Sequence, residues 1–99
     1  MVKIVWTDLS VFELKDIYDY IAIDSKRYAK NQVDKIKAKT LVLKTMPECG
    51  RIVPELENSE IRELIEMNYR IIYRIKTMDY IEILTVHHTS RDFYSREIL

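Results

Sequence analysis

Residues 68–75 read N-Y-R-I-I-Y-R-I. Alternate positions carry Tyr69, Ile71, Tyr73 and Ile75, an apolar row with the period of two that marks a half-buried strand. The opposite row is Arg70, Ile72 and Arg74, continued by Lys76. A strand of this kind needs cover on its first face, and its second face carries arginines. Arginine presents a planar fork of donors suited to phosphate or carboxylate.

The next stretch, 80–88, is equally rich in Ile, Leu, Val, Thr and Tyr, and the short link Thr77–Asp79 predicts a hairpin between the two. Parity puts Ile81, Ile83, Thr85 and His87 on the covered face. Tyr80, Glu82, Leu84, Val86 and His88 fall on the other, which is expected to lie open, as one face of an antiparallel sheet commonly does. Upstream, 61–66 alternates imperfectly, and 51–56 is interrupted by Pro54, which demotes that strand to an edge or bulge.

The cover comes from the first half of the chain. Val2, Ile4 and Trp6 suggest a short first strand. Leu14, Ile17, Tyr18 and Ile21 then recur at helical spacing, with Glu13, Asp16 and Asp19 off the stripe. Thr7 or Asp8 can cap this helix, and Ser10 with Glu13 offers an alternative capping box. Asp24-Ser25 begins a second helix carrying Ala29, Val33, Ile36, Thr40 and Leu43 on one side, and it must end near Pro47. The fold class is therefore α+β: an N-terminal strand, then an αα-hairpin packed on one face of a mostly antiparallel curved sheet. The order is β-α-α-β-β-β, with 89–99 a polar tail or short helix.

Ninety-nine residues make one domain, 1–99. Net charge is zero, but residues 24–46 hold seven Lys/Arg against two acids, and residues 48–66 hold six Glu against two Arg. A solvated helix face explains the basic run; a charge-divided surface that meets a partner is the sharper reading. The single cysteine, Cys49, excludes an internal disulfide and fits a reducing cytoplasm. No apolar run approaches a membrane span, and the first residues lack a basic segment followed by an apolar one, so neither a membrane partner nor a signal peptide is expected.

No cofactor or metal is expected. The only glycine, Gly50, cannot make a phosphate-binding loop, and His87-His88 with Asp92 is too small a ligand set. Arg70, Arg74 and His88, with Arg91 and Tyr94 arriving from the tail, could converge on the open face. Arginine, histidine and tyrosine together can cleave RNA without metal: a base takes the 2′-hydroxyl proton, arginine holds the phosphate charge, and an acid protonates the leaving oxygen.

Read in order, W-T, D-I-Y-D-Y-I-A-I-D-S, P-E-C-G-R-I-V-P-E at 47–55, I-R-E-L at 61–64, N-Y-R-I-I-Y-R-I and V-H-H-T-S-R-D at 86–92 resemble the RelE/ParE superfamily of bacterial type II toxins. The resemblance implies a cytoplasmic toxin held in a hetero-oligomer by a cognate antitoxin. It also implies one of two targets. A RelE-like member cuts mRNA in the ribosomal A site; Arg70 would then hold phosphate, His88, Arg91 or Tyr94 would be catalytic, and Glu55 would be a candidate base. The lysines that several such members carry on the preceding strand are replaced here by Arg62 and Glu63. A ParE-like member binds DNA gyrase without hydrolysis, and Y-I-A-x-D-S, G-R-x-V-P-E and H-x-x-R-D look more like that branch and its plasmid-stabilisation relatives. Arg70, Arg74, His88 and Arg91 would then form the target-binding face. An inactive member that only binds antitoxin is the third reading.

Overall fold

The computed structural model describes residues 2–89. Strand β1 (Lys3–Trp6) leads into α1 (Asp8–Ala22) and α2 (Lys26–Thr40), and α2 tightens into a 3-10 turn at Leu41–Lys44. The sheet continues with β2 (Arg51–Ile52), β3 (Ile61–Glu66), β4 (Tyr69–Thr77) and β5 (Tyr80–His88). The full-length elements follow the expected β-α-α-β-β-β order, and two-residue β2 supplies an outer edge.

Local chemistry sets the helix ends. Thr7 is the cap of α1, its hydroxyl accepting the Ser10 N–H at 3.1 Å. Ser10 and Glu13 lie inside the helix and are buried, so the alternative start is excluded. Ser25 caps α2 by accepting the Tyr28 N–H at 3.1 Å. The helix stops before Pro47, as proline sterics require.

The strands lie in the order β1-β5-β4-β3-β2; β1 runs parallel to β5 and every other pair is antiparallel. The helical hairpin covers one face. Leu14, Ile36 and Leu43 pack there on Ile71, Tyr73, Ile81 and Ile83. These are the apolar rows read from the sequence, and Ile36, Leu43, Ile71, Tyr73, Ile81 and Ile83 are completely buried.

The second face is not open as expected. Pro54 ends β2, and the chain turns back across the sheet, with Val53 joining Ile61, Ile72 and Leu84 in a small second core and Leu56 packed against it. Ile72 and Leu84 are apolar side chains on that face, and the 53–60 loop removes them from water.

The parity of β5 also changes along its length. Ile71 pairs with Val86 and Ile72 with Thr85, but Tyr73 pairs with Ile83, so Leu84 is an inserted residue. An insertion of one residue reverses every later side chain. Val86 therefore joins the helix-side core, against the sequence expectation. His87 faces Arg70 across the ladder and His88 faces Tyr69, the reverse of the assignment made from alternation. The start of α1 holds this bulge. The Thr7 hydroxyl donates to the Leu84 carbonyl at 3.0 Å, and Glu13 accepts the Val86 N–H at 3.1 Å and the Thr85 hydroxyl. Glu13 is thus an inward-facing acid, not the solvent-facing residue that periodicity suggested.

Candidate functional site

The ladder brings charged residues together on the second face. Arg51 is the register partner of Glu63, Glu63 of Ile72, and Ile65 of Arg70, so Glu63 stands diagonally from Arg70. The loop returning over this face carries Glu55 to the same place. The Arg70 Nε donates to Glu63 Oε1 at 2.6 Å, and its two terminal nitrogens donate to Glu55 Oε2 and Oε1 at 2.8 and 3.0 Å. Arg51 donates to the other oxygen of Glu63. The Glu63 side chain is 0% exposed and Arg70 9%, whereas the Arg51 side chain is 65% exposed.

Two cations and two anions therefore balance inside a mostly buried cluster. The hydrogen bonds from Arg70 hold the Glu55 carboxyl far below its ordinary value, at about 2. In return, hydrogen bonding to Glu55, reinforced by Glu63, raises Arg70 above the ordinary arginine range. A carboxylate this acidic is a weak proton acceptor, because general-base efficiency is greatest when the pKa lies near the working pH. The guanidinium would have to exchange carboxylate for phosphate before it could hold a transferring group.

The other residues named from sequence are dispersed. Arg74 shares the second face, but its contact with Glu60 is 3.4 Å and both side chains are well exposed. His87, buried, is the histidine on the Arg70 side. His88 instead meets Tyr69 edge-on, with ring centroids 5.6 Å apart. It borders a cavity of about 630 Å³ that also touches Asp16, Asp19 and Tyr20 of α1. The expected convergence of Arg70, Arg74 and His88 therefore does not occur, because the β5 bulge sends His88 to the opposite face. Arg91 and Tyr94 lie outside the described residues. Glu55, chosen from V-P-E, does meet Arg70.

Glu63 was the residue that sequence reasoning passed over. Its signal was present: in I-R-E-L-I it shares parity with apolar Ile61 and Ile65, an acid on a row otherwise built for burial. A second clamp holds the approach to the cluster. The Tyr73 hydroxyl donates to the Pro47 carbonyl at 2.7 Å and accepts the Gly50 N–H at 2.9 Å. Burial raises this phenol to about 12. Arg62 adds bonds to the Glu48 and Gly50 carbonyls, each 3.1 Å.

Among the described residues, no group of three or more His, Cys, Asp or Glu is arranged to hold a metal ion. No helix among them is long and apolar enough to cross a membrane.

Residues 4–93 match the family model described as the ParE toxin of the type II toxin–antitoxin system parDE. Among solved structures, a chain of the chromosomal ParDE TA system from P. aeruginosa is similar, with TM-score 0.75 and 25% sequence identity over 91% of this chain and 98% of that one. No curated protein sequence matches at a significant level.

Proposed function

Because the chain belongs to the ParE toxin family of type II toxin–antitoxin systems, we propose that a cognate antitoxin neutralises it and that it arrests growth by binding DNA gyrase, without cutting RNA. The observation that carries the non-hydrolytic part is the state of Arg70. A phosphate-binding arginine should keep donors and charge available to the transition state. Arg70 is instead committed to Glu55 and Glu63, and Glu55, the candidate base, is held near a pKa of 2. On this reading Arg70 secures the 53–60 loop, and Arg74, outside the buried cluster and with 39% of its side chain exposed, is open to a target.

The test pairs two assays on the purified protein. Supercoiling by gyrase should be inhibited, and mRNA on programmed ribosomes should stay intact in the A site. Growth arrest on induction should be relieved by co-expressing the adjacent gene. A-site cutting with unaffected supercoiling would overturn the gyrase reading and restore the ribonuclease alternative.

A further inference from the structure

The cavity of about 630 Å³ beside His88 has no part in the cluster on the second face. It lies on the helix side, between the later turns of α1 and the neighbouring ends of β4 and β5. From α1 it takes Glu13, Asp16, Tyr20 and Ile23, which recur at helical spacing and so form one ridge, with Asp19 on the flank. Among the described residues, no lysine or arginine lines it. Apolar surface adjoins the acids: Tyr20 is 77% exposed and Ile23 81%. Three carboxylates beside aromatic and aliphatic surface suit a guanidinium or ammonium carried next to an apolar side chain.

The chain itself supplies such a group at the cavity's edge. The Thr89 N–H donates to the Asn68 carbonyl at 2.7 Å, which fixes the end of β5 beside Tyr69 and His88, both in the lining. Residues 90–99, S-R-D-F-Y-S-R-E-I-L, follow directly and carry Arg91, Arg96, Phe93, Tyr94, Ile98 and Leu99. Arg91 is three residues beyond His88, within a reach of about 10 Å. The wall from Glu13 to Ile23 is about 15 Å long, well within the span of ten residues.

We propose that this cavity receives the chain's own residues 90–99, with Arg91 facing Glu13 and Asp16 and Phe93 against Tyr20 and Ile23. Charge complementarity and the tether select the occupant. A metal ion would match the acids but leave Tyr20 and Ile23 uncovered. A second copy would lose translational and rotational freedom on docking, a cost that a covalently attached segment avoids. Arg91 then follows His88 to the helix side, the side to which the β5 bulge turns it, and secures the segment to α1 instead of joining Arg74 on a target face.

The experiment uses the full chain carrying 4-fluorophenylalanine. The chain has two phenylalanines, Phe12 and Phe93, and Phe12 is 64% exposed, so it serves as the solvent-facing reference. Phe12→Leu assigns the two fluorine signals. A soluble gadolinium chelate should broaden the Phe93 signal less than that of Phe12. Asp16→Lys with Asp19→Lys should weaken this shielding about threefold or more, the effect of one or two ion pairs near the surface. Arg91→Gln should act in the same direction, with Arg91→Lys between it and the wild type. Asp34→Lys with Asp79→Lys makes the same change in net charge away from the cavity and should leave the shielding unchanged. Thermal melts establish that each variant is folded. A wild-type Phe93 as accessible as Phe12, or equal losses for the two aspartate pairs, would overturn the assignment. Shielding that disappears on dilution would overturn it too, and give the cavity to a second copy.

Discussion

The two faces of the sheet are stabilised by different means. On the helix side, two amphipathic helices bury a continuous apolar layer, to which Thr7 and Glu13 add hydrogen bonds at the β5 bulge. On the second side, Val53 and Leu56 of a short loop pack on Ile61, Ile72 and Leu84, next to a cluster of two arginines and two glutamates. A small apolar patch leaves the path of a loop weakly specified, because apolar contact is non-directional. The bidentate Arg70–Glu55 pair is directional and selects one path. That arrangement makes the second face the more sensitive to loss of a single group.

Arg70→Met is therefore the largest expected effect. It strands Glu63, whose side chain is 0% exposed, with the peripheral Arg51 as its one remaining cation among the described residues. Removing one partner of a buried ion pair costs about 3–5 kcal/mol. Urea denaturation should show that loss, and adding Glu63→Leu should recover much of it. A loss below about 1 kcal/mol, the range of surface pairs, would mean that the two faces do not differ in this way.

The same contrast explains what could be read in advance. The helix-side core repeats with the periods 3.6 and 2 over many residues, so Ile36, Ile71, Tyr73 and Ile81 were legible from pattern alone. Reading β5 as uninterrupted alternation failed after Leu84, because the bulge is held by Thr7 and Glu13, more than seventy residues earlier in the chain. Arg70 was legible as a special residue but not as a buried one. Its neutralisation depends on the β3–β4 register and on a loop that doubles back after Pro54. Neither is a local property of N-Y-R-I-I-Y-R-I.

Gly50→Ala should come next. A Cβ there would stand 2.6 Å from the Tyr73 hydroxyl and 2.7 Å from the Glu63 carbonyl oxygen. Overpacking of this kind costs typically about 1–3 kcal/mol. Adding Tyr73→Phe removes the hydroxyl collision but keeps the ring Cε1, also 2.7 Å from that Cβ, and the backbone one, so the double variant should not return to wild-type stability. Full recovery would place the whole clash on the phenol and show that the loop is free to shift relative to β3.

Acid should act selectively on the second face. The folded Glu55 carboxyl, at about 2, lies below its ordinary 4.5. A carboxyl depressed in the folded state contributes stability that is present above the unfolded value and declines as pH falls towards the folded one. Wild-type stability should thus decrease between about pH 4.5 and 2 more steeply than that of Glu55→Gln. Hydrogen exchange read over the 53–60 loop should follow the same window. Parallel pH profiles for the two proteins would show that the Glu55–Arg70 pair carries no linkage.

Arg74→Met should have the smallest effect, although Arg74 lies on the same strand and face as Arg70. Its side chain is 39% exposed, and its partner Glu60, 55% exposed, is 3.4 Å away. Exposed pairs contribute about 0–1 kcal/mol. The Arg74 Nε is enclosed without a hydrogen-bond partner among the described residues, which further reduces what the folded state loses when the guanidinium is removed. Methionine retains much of the packing stem, so the denaturation midpoint should stay near wild type. If Arg74 is the open arginine of the target face, the same substitution should reduce gyrase inhibition. An unchanged midpoint with weakened inhibition would separate the two arginines into a structural and a contact residue. A loss as large as that of Arg70→Met would instead join Arg74 to the buried cluster and remove it from the contact surface.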